Sequence, residues 1–93
     1  MPTTLDKTLQ TRHGTYGHFT DNADVAQRIK DAIRLDPHWQ KLPPTIKEGL
    51  DLIALKMSRI VTGDWQHVDN PHDIGGYAKL MEDFCRASQT PEF

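Results

Sequence analysis

Apolar residues recur at three- and four-residue intervals in three stretches of the chain, and no stretch shows the period-two alternation of a half-buried strand. The first stripe is Val25, Ala26, Ile29, Ala32 and Ile33. Thr20, Asp21 and Asn22 precede it as N-cap residue types, and Asp36-Pro37 stops it because proline disfavours helical geometry in the residue before it. Ile46, Leu50, Ile53, Met57, Ile60 and Val61 form the second stripe. Pro43-Pro44 supplies a proline suited to the first helical position, and Gly63 is expected as the left-handed residue that ends the helix. Ile74, Tyr77, Ala78, Met81, Phe84 and Cys85 form the third, opened by Asn70 or Pro71 and followed by a tail, Gln89-Thr90-Pro91, expected to fray. The pattern predicts an all-α fold, a small helical bundle of three principal helices over about 21–35, 44–62 and 71–87. A short N-terminal helix, Thr4 to about Arg12, rests on Leu5 and Leu9 before Gly14 and Gly17 interrupt it. Between the first two principal helices, Trp39 and Leu42 are expected to anchor a connector.

The second helix carries more than a core face. At 100° per residue its six stripe residues share one broad arc, which predicts that this arc is the core face. Opposite them fall Glu48, Asp51, Leu52, Leu55, Lys56 and Arg59. Two leucines among four charges predict a second contact, with another helix or a partner subunit, in which the charges are paired or bound to a ligand. Glu48 and Asp51 have the E-x-x-D spacing that lets carboxylates on adjacent turns share magnesium through oxygen ligands. Lys56 and Arg59, at the same spacing, suit the phosphate oxygens such a cation would also bind. If the last two helices run antiparallel, Asp69, Asp73 and Tyr77 come near the same region, with Asp73 as a third carboxylate for the metal. The alternative is a set of surface ion pairs worth about 0.2–0.5 kcal/mol each.

Thr15-Tyr16-Gly17-His18-Phe19 runs into Thr20-Asp21-Asn22 just before a helix start, where free backbone N–H groups can hold an anion and Tyr16 can stack a base. Asn22 joins this candidate ligand set, with Arg12 and His13 able to assist. The same segment also reads as a loop with Tyr16 and Phe19 as hydrophobic anchors.

Composition narrows the classes. Ninety-three residues with 37% apolar and 26% charged side chains predict one ordered domain with a small core, structured over about 5–88 and open to completion by a second subunit. A net charge of −2 without a basic block makes duplex nucleic acid an unlikely partner, and the apolar runs fall far short of the roughly 20 residues needed to span a bilayer. One cysteine and no leader at Met1 to Gln10 predict a cytoplasmic protein. His67 and His72, like His13 and His18, stand five apart and miss the zinc spacing of a helix, so neither zinc nor haem is expected. No nucleophile motif supports covalent catalysis, and catalytic residues stay unassigned.

Taken together, Thr15 to Ala23, Glu48-Gly49-Leu50-Asp51 with Ile53 to Lys56 and Arg59, and Asp69 with Asp73-Ile74-Gly75-Gly76-Tyr77-Ala78 resemble a family of small bacteriophage and prophage proteins with a D-I-x-G-Y-A signature. The resemblance covers most of the chain and implies a host bacterial cytoplasm without implying a reaction. More distantly, Glu48, Asp51 and Asp73-Ile74 with Tyr77 are similar to the acidic helices of MazG-type all-α nucleoside triphosphate pyrophosphatases. That likeness implies magnesium and nucleotide pyrophosphohydrolysis, but the family's second E-x-x-E cluster is replaced here by Asp24 and Asp31. Two functions follow as expectations. One is a homodimer that binds a nucleotide, with Glu48, Asp51 and Asp73 at magnesium and Lys56 and Arg59 at phosphate. The other is a non-enzymatic protein that binds or inhibits a host protein.

Overall fold

The computed structural model describes residues 3–89. The fold is all-α, with four helices: α1 (Thr4–Tyr16), α2 (Phe19–Arg34), α3 (Pro44–Thr62) and α4 (Asp69–Ser88), and a 3-10 turn, Pro37–Lys41, between α2 and α3. Among the described residues, no helix is long and apolar enough to cross a membrane. The expected tail residues Thr90 and Pro91, and the side chains of Arg12 and His13, lie outside what is described.

α3 ends where the sequence predicts, at Pro44 and Thr62. Its terminator works differently from expectation. Gly63 has φ −122° and ψ −145°, so it is not left-handed. Glycine is required there by close approach, since a Cβ would stand 2.5 Å from the Tyr16 carbonyl carbon and 2.6 Å from the Thr15 oxygen. The Asp64 N–H donates to that Thr15 oxygen at 2.9 Å, which ties the end of α1 to the end of α3.

α1 is longer than predicted, because Gly14 remains helical and Gly17 makes the break. Gly17 has φ +80°, a backbone that L side chains rarely adopt, and a Cβ on it would clash with the Thr62 carbonyl. α2 starts at Phe19 with His18 as its N-cap, ahead of the predicted Thr20–Asn22 cap. Asn22 is thereby carried into the helix and buried. α4 starts two residues before Pro71. A proline is tolerated in this first turn because the first four helical N–H groups have no intrahelical acceptor. Asp36 caps the 3-10 turn by accepting from the His38 N–H at 2.8 Å, and Trp39 is buried as the predicted anchor.

α3 is the middle of the molecule. α2 runs antiparallel along one flank, with Asn22 at Ser58 and Arg34 at Asp51. α4 runs antiparallel along the other, with Gly49 against Met81 and Lys56 at Asp73. α2 and α4 hardly touch each other. On α3 the buried residues are consequently Gly49, Ala54, Lys56 and Ser58, and the predicted core arc is not the most buried one. Ile46, Leu50, Ile53 and Ile60 are half-buried, while Met57 and Val61 are 44% and 71% exposed. Cys85, read as core filler, is also exposed. Helices flanking α3 on opposite sides leave the arc between them uncovered.

Candidate functional site

The charged residues of α3 are distributed to its neighbours. Lys56 is buried at the α4 flank, and its Nζ lies 2.8 Å from the Asp73 carboxylate. The Lys56 hydrogen bond holds the Asp73 carboxyl below the usual carboxylate range. Burial opposes it, and the nearby Lys56, His72 and Arg59 charges reinforce it. On the α2 flank, one guanidinium nitrogen of Arg34 donates to both oxygens of Asp51 at 3.1 Å. The same Arg34, together with Lys47, lies over the buried Trp39 ring, 5.7 Å and 6.0 Å from its centre.

Glu48 takes no part in these pairs. It is exposed and makes no ion pair among the described residues. Asp51 and Asp73 thus serve opposite flanks, and Glu48 faces solvent. Among the described residues no group of three or more His, Cys, Asp or Glu side chains could hold a metal ion, so the predicted Glu48–Asp51–Asp73 ligand set is not assembled. E-x-x-D spacing fixes the positions of two carboxylates along a helix and leaves open which basic neighbours claim them.

The structure does gather other predicted residues. Tyr16, Asn22 and Arg59 line one cleft of about 300 Å³ together with Leu9, Gly17, Phe19 and Leu55. The Arg59 guanidinium sits 4.8 Å from the centre of the Tyr16 ring, and Arg59 makes no ion pair among the described residues. Tyr16 also meets His67 edge-on, with ring centres 5.4 Å apart and the Tyr16 hydroxyl 3.5 Å from Nε2. The same His67 nitrogen is 3.3 Å from the exposed Asp69 carboxylate, which places Asp69 beside this cluster. Asn22 is structural at its outer end: its Oδ1 is 2.8 Å from the Ser58 hydroxyl, which is itself 2.7 Å from the Leu55 carbonyl and can donate to either. Lys56 does not line this cleft, so the two predicted phosphate-binding cations do not share one site.

A second concavity was not foreseen. Between α3 and α4 lies a groove of about 430 Å³, lined by Pro44, Thr45, Glu48, Gly49, Leu52, Tyr77, Leu80 and Met81. Gly49 at its floor lets α4 approach closely: the Met81 side chain packs on it, and a Cβ there would stand 2.5 Å from the Met81 sulfur. Glu48 is its one ionisable carboxylate, and Leu80 on its wall is 64% exposed. Tyr77, predicted as a ligand residue beside the charged cluster, belongs to this groove instead. The sequence signal was available in Leu52 and Leu80, apolar residues outside the main stripes of their helices.

Asn70 is a further feature that spacing did not reveal. It is fully buried in the first turn of α4, and neither its amide nitrogen nor its amide oxygen has a hydrogen-bond partner among the described residues. No family model, curated protein or solved structure matches the chain, and the geometry of these two concavities therefore carries the functional argument.

Proposed function

We propose that the chain is a non-enzymatic interaction protein whose α3–α4 groove receives an amphipathic segment of a protein partner. The observation that carries this reading is the combination of an apolar groove and an unpaired Glu48 at its side. A bulky apolar side chain would pack in the groove against Leu52, Leu80 and Met81. A Lys or Arg about one turn away on the same segment would meet Glu48. The resemblance to phage and prophage proteins supplies a setting in which that partner is a host protein of the bacterial cytoplasm.

The test is a library of helical peptides selected on the wild-type protein and on two variants, Leu80→Asp and Glu48→Lys. Wild type should enrich peptides with an apolar anchor and an adjacent basic residue. Leu80→Asp should lose them, and Glu48→Lys should shift the preference toward acidic neighbours. Enrichment that ignores both substitutions overturns the proposal. Magnesium-dependent release of phosphate or pyrophosphate from a panel of nucleoside triphosphates should be absent, and turnover would contradict the non-enzymatic reading.

A second reading rests on the convergence of Tyr16, Asn22 and Arg59. Their cleft offers a cation without an ion-pair partner, held over the Tyr16 ring, which suits a small anionic ligand such as a nucleotide. Calorimetric titration with ATP and GTP tests it. Binding that Arg59→Met abolishes supports this reading, and no binding removes it.

A further inference from the structure

α3 contains five charged residues, Lys47, Glu48, Asp51, Lys56 and Arg59, and none falls in the arc of Ile46, Leu50, Ile53, Met57, Ile60 and Val61. That arc spans roughly 100° of the helix and runs for about 22 Å along it, at 1.5 Å per residue. α2 and α4 hold the two flanks beside it without closing over it, so an uncharged apolar strip is left partly exposed along the middle of the molecule, half-buried at Ile46, Leu50, Ile53 and Ile60 and exposed at Met57 and Val61. Its exposure is marked at Met57 and Val61, one turn apart.

The chain as a whole is also more open than a compact monomer. The chain exposes 7033 Å², whereas a compact monomer of its mass exposes about 5,500 Å². Its radius of gyration is 16.6 Å against about 12 Å for a compact domain of this length. Among the described residues only Ala26, Trp39 and Ala54 are buried apolar residues. The excess surface belongs to the chain as a whole, α1 with its exposed Leu5 and Leu9 included, and the strip supplies part of it.

We propose that this strip is the interface with a second copy of the chain, α3 packing antiparallel on α3 about a two-fold axis. An isologous contact requires one patch to complement itself. This strip does so because it is apolar along its whole length: a two-fold near Ile53 sets the Ile46 and Leu50 end of one copy against the Met57 and Val61 end of the other. No charge of α3 is buried in the process, whereas any rotation of α3 that brought Lys47 or Asp51 into the contact would bury one. The charged side of α3, with Asp51 and Lys56 paired to α2 and α4 and with Glu48 and Arg59 unpaired among the described residues, offers no uncharged strip of this length. This inference is independent of the groove, which opens on the other side of α3.

The experiment is sedimentation equilibrium of the full chain and of three variants, with circular dichroism as the fold check. Wild type should sediment at twice the chain mass of 10.6 kDa. Met57→Lys and Val61→Lys should each sediment at the single-chain mass with helical content retained. Leu35→Lys, at an equally exposed apolar residue elsewhere, should leave the dimer intact. Val61 is so exposed that its substitution leaves the monomer fold unchallenged, which keeps the test decisive if Met57→Lys misfolds. A monomeric wild type, or a dimer that survives Val61→Lys, overturns the proposal.

Discussion

The two sides of α3 have opposite fates. Two of its charges are met inside the chain, Lys56 by Asp73 and Asp51 by Arg34, while its richest apolar arc, from Ile46 to Val61, is left half-open. The difference comes from the placement of the neighbours. A helix at the edge of a bundle buries one stripe; a helix flanked by two others that scarcely touch each other buries two stripes on opposite sides. Small residues occupy those stripes, Gly49 toward α4 and Ala54 and Ser58 toward α2, because they let the backbones approach closely. Apart from the ion-paired Lys56, the buried positions of α3 are small residues, and its largest apolar side chains are left half-buried or exposed.

The strongest way to break this picture is to enlarge a flank. Ser58→Leu forces a bulky group between α2 and α3 and strands the Asn22 amide, and should cost about 3–5 kcal/mol in urea unfolding. A loss below about 1 kcal/mol would mean that the flank is loosely packed. Next comes a pair of neighbours on different sides. Lys56→Ala removes a buried stem from the α4 flank and should cost about 2 kcal/mol, at roughly 0.8 kcal/mol per buried methylene. Met57→Lys, measured in dilute solution where no dimer forms, should change stability by less than about 0.5 kcal/mol. Equal losses at the two positions would erase the distinction between flank and open arc. A smaller effect of opposite sign is expected at Asn70. Replacing its unsatisfied amide by the similar-sized Asn70→Leu should stabilise the chain by about 1 kcal/mol, and destabilisation would show that the amide has a partner.

Acid titration sharpens the charged side alone. The Asp73 carboxyl is held low by Lys56, so its folded pKa lies below its unfolded value of about 3.9. Its contribution to stability is complete above that unfolded value and is lost as the pH falls through the folded pKa. Unfolding midpoints measured downward from about pH 6 should therefore fall less steeply at the acid end in Asp73→Asn than in wild type. Parallel curves would assign no coupling to this pair.

The fold was legible wherever local chemistry decides it. Pro43-Pro44 and Gly63 marked both ends of α3, and the three apolar stripes revealed the three main helices. What escaped was set by contacts between distant segments. Gly63 was expected to be left-handed, yet its lack of a side chain serves the crossing with Thr15 and Tyr16, a contact no local pattern encodes. Asn22 looked like a cap and is instead a buried partner of Ser58, because the helix begins earlier, at Phe19. The same applies to the candidate site. Helical spacing put Glu48, Asp51, Lys56 and Arg59 on one side of α3, but that side wraps round toward both flanks, where Arg34 and Asp73 draw Asp51 and Lys56 apart. Tyr16 and Arg59 came together through the turn at Gly17, and the groove over Gly49 depends on the register of α3 against α4.

The dependence of thermal unfolding on protein concentration tests the central claim, that the open arc of α3 is completed by a second copy. A dimer that unfolds to separate chains gains stability with concentration by mass action. Raising the chain concentration about a hundredfold should therefore raise the wild-type Tm by several degrees and leave that of Val61→Lys unchanged. A wild-type Tm that stays constant across this range would contradict the account.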